Sequence, residues 1–205
     1  MDKNIARIFS YVLHPLIMTS LGMLILFHSG TSLSVLQPEV KRIALIVTAL
    51  FTFVFPASMI IMLFLTKVIS NIELQERKER ILPVALAILM YMFTFFIMKG
   101  IPQLSGGHIV FLFCPPAALF ITLVLNNFFK PSIHMLGIGM LCGTILILII
   151  FYGASLQGLF ILAVLASGVL GTSRLILQFH KPLEVLSGFA TGFLVTLIIM
   201  SVYIL

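Results

Sequence analysis

Long apolar runs, separated by short polar or turn-forming stretches, divide the chain into pieces of the length that suits a membrane crossing. About 20 apolar residues are needed for one helix to cross the hydrocarbon core. We predict seven segments, at about 10–27, 43–69, 83–98, 109–129, 135–152, 156–172 and 182–205. Pro56 should kink or break the second segment, and Pro115-Pro116 should interrupt the fourth. No small-residue cleavage site follows the first segment, so we interpret it as a retained helix.

Composition supports the same interpretation. Of the 205 residues, 61% are hydrophobic and 9% are charged, and the mean hydropathy is +1.25, which excludes both a soluble domain and a disordered chain. The apolar runs are too continuous for barrel strands. We therefore predict an all-α fold, a polytopic membrane helical bundle of six to seven transmembrane helices, as a single integral-membrane domain over residues 1–205.

The number and type of charged residues limit the ligands that the protein is expected to bind. There are 12 Lys and Arg against 6 Asp and Glu, a formal net charge of +6. Asp2 is the only aspartate, so aspartate-rich magnesium motifs are excluded, and we expect neither a metal ion nor another cofactor. The cations form no aromatic-interleaved basic face, so nucleic acid is not an expected partner. Cys114 and Cys142 lie in apolar runs and are read as small buried side chains.

Three polar clusters lie at the ends of apolar segments, where ionisable residues mark candidate functional sites in a membrane protein. They are Glu76-Arg77-Lys78-Glu79-Arg80-Ile81-Leu82-Pro83, Lys130-Pro131-Ser132-Ile133-His134, and Ser173-Arg174 followed by His180, Glu184 and Ser187-Gly188. Two membrane segments separate each cluster from the next. All three should therefore return to one face of the membrane and form a single site. The similar stretch 105–108 falls, by the same count, on the opposite face.

The residues of these clusters resemble motifs of the type 2 phosphatidic acid phosphatase superfamily. Ser173-Arg174-x5-His180-x3-Glu184 is similar to its third motif, SR-x5-H-x3-D, and Pro131-Ser132-Ile133-His134 resembles its second, PSGH. The basic run ending at Arg80 takes the place of its first motif, K-x6-RP. The motifs span 77–188 and imply a phosphatase-like core over about 71–205.

Three positions depart from the family's pattern. Glu184 replaces an aspartate, and Ile133 replaces a glycine. In the first motif, counting back seven from Arg80 gives Glu73 rather than lysine, and no Arg-Pro pair exists. The first motif therefore cannot be aligned residue by residue. We treat the basic residues near Arg80 only as positive charges that could bind a phosphate.

The resemblance implies a phosphoryl transfer in which His180 is the nucleophile, Glu184 orients it, and His134 is the general acid and base. It also implies a set of phosphate-binding residues, which we take to be Arg174, Arg80, Arg77, Lys78, Ser132 and Ser173. Other roles stay open for some of them. Glu184 could only cap its helix, and 77–80 could be a positive-inside anchor. For His14, His28 and His108 we expect hydrogen-bonded positions at the interface.

Three functions remain open on the sequence. The first, which we favour, is an integral-membrane lipid phosphate or diphosphate phosphatase acting through a phosphohistidine, on phosphatidate, phosphatidylglycerol phosphate or a polyprenyl diphosphate. The second is a non-catalytic relative that binds or carries a lipid phosphate, and the third is a small transporter. We expect a multi-pass protein of the cell membrane, a bacterial inner membrane by the resemblance. Cytoplasmic loops of membrane proteins carry an excess of Lys and Arg. When the candidate phosphate ligands Arg77, Lys78, Arg80 and Arg174 are left out, five cations lie on the face of the motifs and three on the other. This difference does not decide which face of the membrane carries the motifs.

Overall fold

A computed structural model of the protein describes residues 1–104 and 106–205. The secondary structure elements in these ranges are all helices. The helices are α1 (Lys3–Val12), α2 (Pro15–His28), α3 (Pro38–Ala49), α4 (Phe55–Leu65), α5 (Ile81–Lys99), α6 (Gly106–Leu125), α7 (Ile133–Tyr152), α8 (Gln157–Ile176) and α9 (Pro182–Ile204). A short 3₁₀ turn at Ser32–Ser34 precedes α3, and a π-helical turn at Leu50–Val54 joins α3 to α4.

Six of the helical stretches in the described part of the chain are long and apolar enough to cross a membrane. One of them is the continuous helix Pro38–Leu65, and the others are α5 to α9. A seventh crossing results if α1 and α2, which meet at an angle of 48°, together form one bent span. The prediction of an all-α bundle with six to seven membrane helices is confirmed, and the chain is a multi-pass membrane protein.

Helices continue through the prolines that were expected to break or interrupt them. Pro56 does not break its segment, because the π-helical turn directly before it absorbs the irregularity and the helix continues to Leu65. Pro115 and Pro116 lie inside α6, which runs through them from Gly106 to Leu125. The predicted interruption is therefore wrong. In hydrocarbon no water competes for the remaining backbone groups, so a helix tolerates prolines that would end it in solution.

Helix α7 is the centre of the bundle and packs against α2, α6, α8 and α9. Glycines let α9 approach it closely. A Cβ on Gly192 would meet the backbone carbonyl of Leu136, and one on Gly139 would meet that of Phe189. Close approach through small residues is the usual way in which membrane helices gain packing contacts. This contact fixes the start of α9 beside the start of α7, where two of the polar clusters lie.

The helices alternate in direction, so the connections form two groups at opposite ends. Residues 66–80, 126–132 and 177–181 lie at the end where the polar clusters are found. At the other end His108, in the first turn of α6, is hydrogen-bonded to the carbonyl of Leu33 at 2.8 Å. The stretch 105–108 was predicted to fall there; Gly106 to His108 do, and Ser105 lies outside the described residues.

Candidate active site

The three polar clusters meet at one end of the bundle, as predicted. Arg80, from the first cluster, donates a hydrogen bond from Nη2 to the carbonyl of Pro131 at 3.0 Å. The backbone N–H of Lys130 donates to Glu184 Oε1 at 3.3 Å, and the Lys130 carbonyl lies 3.2 Å from Nδ1 of His180. Backbone atoms of the second cluster thus hold side chains of the first and third.

A cavity of about 360 Å³ lies between these clusters and the interior of the bundle. Its lining divides by polarity. Glutamate, arginine and histidine side chains of the lining lie at the cluster end, namely those of His14, Glu73, Arg80, His134, Arg174 and His180. The rest of the lining is mainly apolar and is contributed in part by Met18, Val84, Leu119 and Met140. A site with an ionic end and an apolar end suits an amphiphilic molecule with an anionic head.

His180 is held in one orientation by two acceptors. Its Nδ1 lies 3.3 Å from Glu184 Oε2 and also faces the Lys130 carbonyl, and since neither oxygen can donate, Nδ1 carries the proton in the neutral ring. Burial, and next the positive charge of Arg174 and Arg80, lowers the pKa of His180 from 6.5 to about 3. The ring is therefore neutral at pH 7, and Nε2 keeps its lone pair.

Glu184 owes its position to the start of α9. Lys181 is the residue before the helix, Pro182 occupies its first turn, and Glu184 accepts a hydrogen bond from the Lys181 N–H at 3.0 Å. Glu184 thus lies in the first helical turn. The carboxylate both caps the helix and contacts His180, so the two alternatives drawn from the sequence describe the same side chain.

Two arginines give the cavity its positive charge. Arg80 is 4% exposed and Arg174 is 2% exposed, and among the described residues Nε and Nη1 of both side chains have no hydrogen-bond partner. The guanidinium of Arg174 also stacks over the ring of Phe179, at 4.7 Å from its centroid. Burial lowers the pKa of Arg80 to about 10, so both side chains stay charged at neutral pH. Buried guanidinium N–H groups without partners are ready donors for phosphate oxygens.

Glu73 is a cavity residue that the sequence did not assign to the site. Its carboxylate forms an ion pair with Arg174 at 3.6 Å, and its side chain is 30% exposed. It stands seven residues before Arg80, where the first motif of the family has lysine.

His134 and His14 bring two more imidazoles to the cavity. His134 lies in the first turn of α7. His14 lies between α1 and α2, and its ring centroid is 5.3 Å from that of His134 at an interplanar angle of 78°. Sequence reasoning treated His14 as an interfacial histidine and so missed it. The signal it carried was the His14-Pro15 pair inside an apolar segment, which is a helix break.

Four of the predicted phosphate-binding residues do not line the cavity. Arg77 donates from Nε and Nη2 to the carbonyl of Asn126, at 3.0 and 2.7 Å, and Lys78 is exposed. Ser132 is buried as the N-cap of α7, and the Ser173 hydroxyl donates to the carbonyl of Val169 at 2.7 Å. Arg77, Ser132 and Ser173 thus use polar groups in contacts with the backbone, and the side chain of Lys78 lies in solvent.

No protein-family model, no curated protein and no solved structure matches the chain.

Proposed function

We propose that the protein is a phosphatase of lipid phosphates or diphosphates that works through a phosphohistidine intermediate. The observation that carries the proposal is the orientation of His180. Its Nδ1 is held by Glu184 and by the Lys130 carbonyl, while the ring lines a cavity that also contains two buried arginines. A neutral, oriented imidazole, beside guanidinium groups that keep N–H donors without partners among the described residues, is the combination that nucleophilic phosphoryl transfer requires.

In the first half-reaction, Nε2 of His180 attacks phosphorus and the bond from phosphorus to the lipid oxygen breaks. The lone pair of Nε2 forms the new N–P bond, and the departing oxygen takes a proton from His134. Arg80 and Arg174 donate hydrogen bonds to the equatorial oxygens, where charge is concentrated. The ring of His180 gains positive charge in this step, and the Glu184 carboxylate beside Nδ1 stabilises it.

In the second half-reaction, water replaces His180 on phosphorus. His134, now neutral, takes a proton from the water as the new O–P bond forms, and the N–P bond breaks with its electron pair returning to Nε2. Inorganic phosphate leaves and both histidines return to their starting states. These steps use only side chains of this chain and one water molecule.

The division of the cavity favours a lipid as substrate. The phosphate of the lipid would lie among Arg80, Arg174 and His180. Its hydrocarbon tail would extend toward Met18, Leu119 and Met140. Phosphatidate, phosphatidylglycerol phosphate and polyprenyl diphosphate all combine an anionic head with an apolar tail. For such a substrate the site would lie at the surface of a cell membrane, and we propose the bacterial inner membrane.

A second candidate is a lipid-phosphate binding or carrier protein without catalytic activity. The observation that favours it is the ion pair between Glu73 and Arg174. A carboxylate in this position competes with a phosphate for the same guanidinium group. It also lowers the positive charge available to a transition state.

Phosphate release separates the two candidates. The purified protein in detergent would be given each of the three lipid phosphates, beside a His180→Ala variant and the matched variant His28→Ala, whose histidine is exposed at the other end of the bundle. The proposal expects release by the wild type and by His28→Ala, and none above background by His180→Ala. Binding of the lipids without release would support the carrier, and equal release by His180→Ala would rule out the nucleophile.

A further inference from the structure

The first membrane segment breaks directly beside the cavity. Helix α1 ends at Val12 and α2 begins at Pro15, with an angle of 48° between them. A residue before proline is disfavoured in the helical region, and His14 has extended backbone angles, φ −68° and ψ 136°. The His14-Pro15 pair therefore sets the position of the break, and the break turns the His14 side chain toward the cavity.

The break also frees a backbone carbonyl. In an unbroken helix the carbonyl of Ser10 would accept a hydrogen bond from the N–H four residues on, which is that of His14. Here the Ser10 carbonyl instead faces the ring of His134. A carbonyl in this place would accept from one ring nitrogen, fix the ring's tautomer and leave the other nitrogen for chemistry.

The ring of His14 completes this support. Its Nδ1 accepts a hydrogen bond from the N–H of Leu16 at 3.4 Å, which ties the imidazole to the first turn of α2. Its ring then meets that of His134 at nearly a right angle, with 5.3 Å between centroids, the edge-to-face geometry that aromatic rings favour. The contact restricts the rotation of His134 about its side-chain bonds.

We propose that His14 is a positioning residue for His134: through the break at His14-Pro15, its ring and the freed Ser10 carbonyl together hold the general acid and base in its working orientation. The inference rests on the proposed function, since it assigns a support to a residue of that reaction. The bend in the first span then acts in catalysis by placing the ring and the carbonyl beside His134. A straight first helix would supply neither the carbonyl nor the ring.

The test compares two variants of His14 and repeats one of them in a His134→Ala background. His14→Ala removes the ring, and His14→Phe keeps an aromatic ring without the nitrogens. Correct orientation accounts for part of the 10²- to 10⁴-fold contribution of a general acid and base, so we expect about a tenfold lower kcat for His14→Ala and a KM within twofold of wild type. His14→Phe should recover most of the loss. In a His134→Ala background, His14→Ala should cause no further decrease.

Other results would overturn the inference. If His14→Ala retains wild-type kcat, or if it lowers kcat equally with and without His134, then His14 does not act through His134. A loss in both His14→Ala and His14→Phe, with a lower thermal unfolding midpoint, would assign His14 to folding instead. A wild type that is inactive on all three lipid phosphates would overturn the proposed function itself, which is a separate outcome from an active wild type with indifferent His14 variants.

Discussion

His180 and Glu184 lie one helical turn apart and are joined by a contact of 3.3 Å between Nδ1 and Oε2. The side chain of His180 is 5% exposed and that of Glu184 is 14% exposed, so the pair is shielded from water. Shielding strengthens the interaction of a carboxylate with an imidazole that becomes positively charged during reaction. The pair is therefore the part of the site where a small chemical change should have the largest effect.

Replacing Glu184 should reveal its two roles separately. Glu184→Gln keeps an oxygen that can accept from Nδ1 but removes the charge, and we expect kcat to fall by roughly 10- to 100-fold, the usual cost of losing a supporting carboxylate. Glu184→Asp, which restores the residue of the family it resembles, should be less impaired. Steady-state kinetics on a lipid phosphate measure both. Equal kcat for wild type and Glu184→Gln would contradict the assigned role.

Glu73 should weaken the binding of anions, because it is already paired with Arg174. An ion pair with a partly exposed partner is worth up to about 1 kcal/mol, so Glu73→Gln should tighten the inhibition by inorganic phosphate by about two- to fivefold. Glu39→Gln, on α3 at the other end of the bundle, is the matched control and should leave it unchanged. Weaker inhibition in Glu73→Gln would mean that the carboxylate supports the site.

Acid should destabilise the protein through His180. The pKa of this residue is lowered from 6.5 to about 3 in the folded state, so between these values the unfolded chain binds a proton that the folded one does not. Its contribution to stability is complete above pH 6.5 and is lost as pH falls toward 3. The thermal unfolding midpoint of the wild type should therefore drop more steeply between pH 7 and 4 than that of His180→Ala. Parallel curves would show that His180 titrates normally.

The start of α9 depends on a glycine. A Cβ on Gly188 would meet the backbone carbonyl of Ser132, beside the point where the Ser132 N–H donates to the Glu184 carbonyl at 2.9 Å. Gly188→Ala should destabilise the protein by about 1–3 kcal/mol, as overpacking does, and lower kcat because it shifts Glu184. Gly168→Ala is the control, since among the described residues a Cβ there would meet nothing within 4 Å apart from its chain neighbours and the adjacent backbone of its own helix. Thermal unfolding and kinetics that match wild type in Gly188→Ala would contradict the close packing.

Much of the architecture could be predicted from the sequence, because a backbone in hydrocarbon must satisfy its own hydrogen bonds, and a continuous helix does so. The apolar runs located the helices, and counting crossings placed the three clusters on one face. Proline was the exception. The rule that predicted interruption at Pro115-Pro116 comes from water-exposed helices, and it ignores how a buried helix such as α6 is held by its neighbours.

The site was harder to predict than the fold. His180, Glu184 and Arg174 could be predicted because they lie within one short motif, in which the spacing along the chain largely determines how the side chains are arranged. Glu73 and His14 were not. The ion pair of Glu73 joins segments that are distant along the chain, and the His14-Pro15 pair locates a helix break without showing that the His14 ring meets that of His134. Arg77 illustrates the reverse case, since its charge suggested phosphate binding and its contacts are with the carbonyl of Asn126.

Trapping the phosphorylated intermediate tests whether His180 is the nucleophile. The purified protein would react with a lipid phosphate labelled with ³²P, be quenched within the first turnover, and be digested for peptide analysis. We expect an acid-labile, base-stable label on the peptide that contains His180, and its absence in His180→Ala. A wild type that releases phosphate without a label at His180, or a His180→Ala variant that is still labelled, would contradict this expectation.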